Sequence, residues 1–460
     1  MEKGLSKVRL GVFMLRQRAG WMLMVLALAL PALADSHVRI VRLSNVEGNV
    51  QMDRNTGQGF EKAFLNMPVV QGAILSTMND ARAEVEFEDG TTLRLTPNST
   101  LEFAELALRD SGARASTLTL KTGQMYINYR GAKNEEFTLL FAGEKVKLAE
   151  EAHLRIDLED TNAEIAVFKG NVSVEGSSGT AEVAKGKTAT FDLAEAGKFT
   201  IAKNIEEDPY DSWDKQQAKY HDEYARNGAN GNYPYGYGVS DLNYYGSYYN
   251  VPGYGTMWQP YFAGAGWNPF SDGAWMFYPG IGYTWVSAYP WGWMPYMYGG
   301  WSMVPGYGWM WAPGGWGGWN TVPVVTNPPN RFTKPQPPVR GTTTVMVGQG
   351  MTAMAAAPPR RVLVQSGSAG LGVPRGVNNL QKVSRQVERS GFATVHSAPP
   401  ARSAWASPSW GGNSSGSASR GSMNSGSMHG TNSGSSMHSA PPMRSGGGSM
   451  SGGHASAPHR

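Results

Sequence analysis

Arg82-Ala83-Glu84-Val85-Glu86-Phe87-Glu88-Asp89-Gly90-Thr91-Thr92-Leu93-Arg94-Leu95 is the stretch whose reading decides the fold. Ala83, Val85 and Phe87 alternate with Glu84, Glu86 and Glu88, Asp89-Gly90 turns the chain, and Leu93 and Leu95 resume the alternation around Arg94. A period of two on both sides of a turn dipeptide predicts a hairpin with one buried and one wet face. The glutamate row is expected on the wet face, where it promotes solubility and blunts edge-to-edge strand pairing.

The same alternation recurs in Leu118/Leu120, Leu154/Ile156/Leu158, Ile165/Val167 and Val172/Val174, with Gly123, Gly170, Gly176 and Gly186 as punctuation. Short strands at this spacing over residues 38–201 predict an all-β domain, either a short-stranded sandwich or roll or a solenoid. Upstream, residues 1–34 read as a signal peptide. Lys3, Lys7, Arg9, Arg16 and Arg18 make a basic region, Trp21 to Leu30 an apolar core, and Ala32-Leu33-Ala34 a cleavage site before Asp35. The apolar run is short for a membrane span. With no cysteine in 460 residues, the exported part has neither disulfides nor thiolate metal sites, which fits a bacterial envelope protein.

Arg82 to Leu95, followed by Asn98-Ser99-Thr100-Leu101, resembles the core of FecR-type domains, a strand, Asp-Gly-[Ser/Thr], a strand and a small-residue turn. Phe137-Thr138-Leu139 and Val167-Phe168-Lys169-Gly170-Asn171-Val172-Ser173-Val174 look like that family's closing strands. The resemblance covers roughly residues 38–195 and implies the fold more than the signalling role. FecR-type regulators carry a cytoplasmic sigma-factor-binding segment before their membrane span, whereas few residues precede the apolar run here. Where the family often has Gly-Thr, this chain has Glu151-Ala152-His153.

Residues 206–227 hold an expected amphipathic aromatic helix, running from Asp208 to Arg226. Asp208 caps it, Pro209 occupies its first position, and Tyr210, Trp213, Gln217, Tyr220 and Tyr224 draw one stripe that docks on the rest of the protein. Residues 233–320 then repeat one pattern three times. Gly246-x-Tyr248-x-x-Val251-Pro252-Gly253-Tyr254-Gly255-x-x-Trp258 is matched by Gly273 to Trp285 and by Gly299 to Trp311, with turn prolines 27 and 26 residues apart. Such a period marks an array of supersecondary units, here β-hairpins around Pro-Gly turns. A three-residue loop would set the two recurring rings opposite each other and a four-residue loop would offset them. The zone resembles a Trp/Tyr/Gly-rich domain of unknown function that follows FecR-like domains in exported bacterial proteins, on Asp241-Leu242-Asn243-Tyr244-Tyr245-Gly246, Gly266-Trp267-Asn268-Pro269-Phe270, Tyr289-Pro290-Trp291-Gly292-Trp293 and Trp309-Met310-Trp311-Ala312-Pro313.

These rings form either the core or an exposed platform, and the expectation is mostly core with a partial platform. Tyr248, Trp258, Trp275, Trp285, Trp301 and Trp311 are the candidate platform residues. Residues 327–460, Pro-rich and then Gly/Ser/Met/His-rich, are expected to be a disordered tail.

No catalytic residue is assigned: H-E-x-x-H and a Walker loop are both missing, and His153 is expected in solvent. No metal ligand or cofactor is assigned either, since Ser427-Met428-His429 and Ser436-Met437-His438 are only weak soft-metal sets. A net charge of +4 with scattered basic residues gives no nucleic-acid footprint. The sequence thus predicts a non-enzymatic protein of the periplasm or cell surface that binds or scaffolds. Its partner would be an envelope protein or a cell-surface glycan, the latter making the repeats a glycan-binding module. If the N-terminal segment stays uncleaved, the alternative is a membrane-tethered FecR-type sensor.

Overall fold

The computed structural model describes residues 39–396 apart from 177–178, 196–197, 227–232, 340–342 and 354–360, and all of these belong to one compact unit. The signal segment at 1–34 and the Met/His triplets lie outside the described residues.

The decisive hairpin forms as expected. Arg82–Glu86 pairs antiparallel with Thr92–Leu95, placing Val85 opposite Leu93 and Glu84 opposite Arg94. Gly90 turns the chain at a φ of +84°, and the Asp89 carboxylate accepts from the Thr91 amide and hydroxyl at 2.9 and 2.7 Å. Around it, seventeen strands between Val41 and Ala202 form two sheets that share one strand, Arg114–Tyr129. The first half of that strand pairs with Thr100–Leu108 and, in parallel, with Glu135–Phe141. Its second half pairs with Thr92–Leu95 and Ala152–Leu158 in the other sheet. Gly123 therefore is not a turn: it lies inside a 16-residue strand at the change of sheet. Its φ is +81°, and a Cβ there would lie 2.5 Å from the Ser99 hydroxyl, so only glycine fits.

Leu101, Leu118 and Leu139 of one sheet and Val85, Leu93 and Ile156 of the other are fully buried in one core, and Phe141 meets Phe191 across it at 6.1 Å. The domain is thus a two-sheet roll and not a solenoid.

The expected wet face of the hairpin is dry. Glu84, Glu86 and Glu88 are 0%, 1% and 5% exposed, because two helices lie against Glu84 and Glu86 and Arg39 holds Glu88. Helix α1, Asp211–Arg226, begins three residues beyond Asp208, whose carboxylate accepts from the Tyr210 amide and the Tyr126 hydroxyl. Trp213 and Tyr220 of its stripe are buried, as a docking face requires. Helix α2, Val239–Tyr245, packs beside it and has no counterpart in the expected elements.

All three repeats are hairpins with three-residue loops, so Tyr248 faces Trp258, Trp275 faces Trp285, and Trp301 faces Trp311. The recurring glycine two residues before the first ring makes room for the second ring. A Cβ on Gly246 would lie 2.3 Å from the Trp258 indole, one on Gly273 2.5 Å from Trp285, and one on Gly299 2.7 Å from Trp311. The repeats do not stack in order. The first and third share a sheet through the Trp258–Trp311 pair, while the second pairs with Val345–Val347 in another.

Residues 361–396, expected within a disordered tail, are folded. Arg361–Gln365 pairs with Phe392–His396, and helix α3, Leu380–Ser390, lies between them in sequence. Averaging composition over the whole tail hid the local pattern: Val362, Val364, Val373, Val377, Leu380, Val387 and Val395 are all buried. The Asn379 side chain caps α3 by accepting from the Lys382 amide at 3.0 Å, and Gly391 ends it at positive φ.

Candidate functional site

The dry glutamate face is the centre of an ion network at the junction of the β roll, α1, α2 and the aromatic hairpins. Strand geometry sets the first ligands. Glu84 and Arg94 are cross-strand partners, and the Arg94 guanidinium donates to Glu84 at 2.8 Å and to Asp214 of α1 at 2.7 Å. About two helical turns further along, His221 Nε2 lies 2.9 Å from Glu84, and its Nδ1 lies 3.6 Å from Glu86. Arg42, from the neighbouring strand, bridges Glu86 at 3.1 Å and Asp241 of α2 at 2.6 Å. Arg375 completes the network by donating to Glu84 at 2.7 Å and to both oxygens of Asp241 at 3.1 and 3.0 Å.

Burial alone would push every one of these carboxyls up. For Glu84 it is outweighed by His221, Arg375 and Arg94, which hold the group well below its usual range. The same contest, won by Arg375 and Arg42, lowers Asp241, and Arg94 with His153 lowers Asp214. Glu86 goes the other way. Its burial is only partly offset by His221 and Arg42, and Asp241 and Glu84 add repulsion.

Polar contacts extend the network into a clasp between the roll and the hairpins. Asn66 donates to the Ser287 and Tyr289 carbonyls at 3.0 and 2.7 Å, Arg42 to Pro290 at 2.8 Å, and Tyr278 to Pro68 at 2.9 Å. The Gly238 amide donates to Glu86 at 3.0 Å. Chemically, this arrangement fixes orientation: its carboxylates are committed to guanidinium or imidazole partners. Among the described residues no group of three or more His, Asp or Glu is placed to hold a metal.

The candidate platform residues are placed differently from a platform. Trp258, Trp301 and Trp311 are fully buried, Trp285 and Trp275 are 1% and 2% exposed, and the half-buried Tyr248 is bonded to Tyr233. In a region short of Leu and Ile, rings must supply the core themselves. Trp291 shows how: it touches Trp258, Trp267, Tyr289, Tyr296 and Trp301. The rings left in solvent are instead Tyr254 and Tyr307, at the hairpin turns, and Tyr249, 40%, 46% and 39% exposed. His153 likewise departs from the expected solvent position, since it packs at a tilt against Phe168 and lies 2.7 Å from Asp214.

Sequence reading passed over Arg42, Asp241, His221 and Arg375. One signal was present: Asp241 and Asp272 are the only charges in residues 233–320. Both proved to be anchors, Asp241 for Arg375 and Asp272 for the Gln349 and Gly350 amides at 3.1 and 2.9 Å.

Residues 73–173 match the family described as FecR protein, and residues 239–332 match DUF6600, a family of unknown function. No curated protein matches the chain. Two crystal structures described as a "putative anti-sigma factor" from Parabacteroides distasonis ATCC 8503 are similar at 16% and 14% identity. Each match covers 28% of this chain and 59% of that one with a TM-score of 0.25, too low to support any statement of fold or function. The chain spans less than two thirds of the length of those structures. Glu84, Glu86 and Arg94 lie in the first matched segment and Asp241 in the second, so the ion network joins the two: the chain carries a FecR-family domain and, clasped to it, a DUF6600 domain.

Proposed function

We propose that this is an exported, non-catalytic envelope protein in which the FecR-family and DUF6600 domains act as one rigid body for binding or scaffolding. The observation that carries this reading is the commitment of Glu84, Glu86, Asp214 and Asp241 to ionic partners beyond their own element at the junction. An acid–base site needs a carboxyl free to exchange protons with a substrate, and these four are used to hold domains together. The partner is an envelope protein or a cell-surface glycan, met by the exposed tyrosines at the hairpin turns. Among the described residues no helix is long and apolar enough to cross a membrane.

Fractionation of expressing cells with N-terminal sequencing tests the reading. The expected result is a mature chain starting at Asp35 in the periplasmic or extracellular fraction. A chain retaining its N-terminal segment in the membrane fraction would overturn it and favour a membrane-tethered FecR-type sensor.

A further inference from the structure

Arg375 stands apart from the other members of the network. It comes from outside both matched segments, on a stretch, Ala369 to Val377, that has neither helix nor strand. Such a stretch should be loosely held, yet this one is fastened at Ala369, Val373, Arg375 and Val377. The Trp291 indole donates to the Ala369 carbonyl at 2.6 Å. The Tyr245 hydroxyl donates to the Val373 carbonyl at 2.8 Å, and the Tyr244 hydroxyl both donates to the Val377 carbonyl and accepts from its amide, at 2.9 and 2.8 Å. Val373 and Val377 are buried on either side of the arginine.

The guanidinium itself is saturated. Its N–H groups reach Asp241 twice, Glu84, Gln217 at 3.3 Å and the Ser44 carbonyl at 3.0 Å, which accounts for all five donors of an arginine. Its flat face lies over the Tyr220 ring at 4.7 Å. A planar fork with an aromatic lid selects guanidinium over ammonium, which has three donors and no plane to stack.

The slot does not depend on its occupant. Glu84 is also held by Arg94, His221 and the Ser44 hydroxyl, and Asp241 by Arg42 and the Tyr220 hydroxyl. Every wall comes from residues 44–241, far from 375 in sequence. With Arg375 withdrawn, the four buried carboxylates would face only Arg42 and Arg94 as permanent cations, so the slot calls for one more.

We propose that this junction is a binding site for a peptide that presents an arginine on a turn, which the chain's own Val373-Pro374-Arg375-Gly376-Val377 fills as an internal ligand with Arg375-Gly376 in a turn, strapping the two domains together. The ligand class follows from the contacts: a guanidinium for Glu84, Asp241 and Tyr220, with flanking valines and backbone groups for Tyr244 and Tyr245.

Chemical rescue in the full chain tests this. Arg375→Ala deletes the atoms that ethylguanidinium contains, so millimolar ethylguanidinium should raise the melting temperature of R375A. Ethylammonium at equal ionic strength should not, and the wild-type chain, its slot already filled, should respond to neither. Equal responses to both cations, or none to either in a folded R375A chain, would overturn the proposal. Should R375A fail to fold, Arg375→Lys keeps the charge and loses the fork. Hydrogen exchange of residues 369–377 should then quicken at least tenfold while residues 83–95 stay protected, and unchanged exchange in the strap would overturn the proposal equally.

Discussion

The β roll and the aromatic hairpins solve the same problem with different side chains. The roll buries aliphatic residues along strands of period two, such as Val85, Leu93 and Ile156. The hairpin region has few of these and instead builds its interior from indoles and phenols, with glycines placed where an indole must lie against backbone. An aliphatic core tolerates exchange among similar shapes, whereas interlocked rings each carry a large buried area and one orientation. Where the two regions meet, buried charge is added to a continuous apolar core. Hydrophobic contact fixes that two surfaces meet; paired buried charges penalise every register but one.

The largest expected effect probes the ring core. Trp311→Ala should cost about 3–5 kcal/mol, the range for truncating a buried aromatic, since Trp311 is fully buried and also donates to the Tyr298 carbonyl at 2.8 Å. Calorimetry of the full chain sharpens the comparison. One cooperative transition, shifted down, means that the charged junction couples the two regions into a single folding unit. Two transitions, with only one shifted, would break the picture of a rigid body.

Close behind is the junction itself. Arg94→Leu leaves Glu84 and Asp214 buried with one cation fewer, a change that costs about 3–5 kcal/mol when a buried pair is broken from one side. Replacing Glu84, Arg94 and Asp214 together by apolar residues of similar volume should cost less, because the two carboxylates that lose Arg94 go with it and Arg375 keeps Asp241. A triple variant as unstable as R94L in chemical denaturation would show that the network stabilises the fold and does not merely select its register.

Acid provides a third and smaller effect, in which lowered and raised carboxyls act with opposite sign. Glu84, Asp214 and Asp241 have folded values below their ordinary ones. Their contribution is complete above the unfolded carboxyl range and is lost as pH falls through the lower folded values. Glu135, in the roll, is pushed up to about 7 by burial, with Arg114 opposing and Asp89 adding to it. The unfolded chain releases that proton near its ordinary value of 4.5, so this group lowers stability as pH rises from there to neutrality, by about 2–3 kcal/mol. Melting curves from pH 3 to 8 should therefore pass through a maximum. Glu135→Gln should flatten the neutral side alone and Asp241→Asn the acid side alone; any other assignment of the two slopes contradicts the network as described.

How much of this was legible in sequence depends on whether the signal was local. The Arg82–Leu95 hairpin, the three Pro-Gly turns and the docking stripe of α1 are read within a dozen residues, and they appear as read. The direction of the glutamate face was not legible, because alternation shows that Glu84 and Val85 point apart but not what covers each side. The cover comes from Asp214, His221, Asp241 and Arg375, 130 to 291 positions away from Glu84. Residues 361–396 failed for another reason. Arg361-Val362-Leu363-Val364-Gln365, the Asn379 cap and Gly391 were local signals, drowned when composition was averaged over a Gly/Ser-rich stretch.

The smallest expected effect on stability is the most direct test of where a partner touches. Tyr307 and Tyr249, with ring centroids 6.5 Å apart, stand in solvent on the sheet formed by the first and third hairpins, whereas the tryptophans of those hairpins are interior. Surface substitutions away from packing usually stay within about 0.5 kcal/mol, so Tyr307→Ser and Tyr249→Ser should leave the melting temperature nearly unchanged. If the module meets its partner through these rings, the double variant loses retention on cell-envelope material by tenfold or more in sedimentation, with folding intact. Undiminished retention would move the contact elsewhere and leave the hairpin region as a ring-built support for the junction, since the tryptophans beneath are too buried to take over the role.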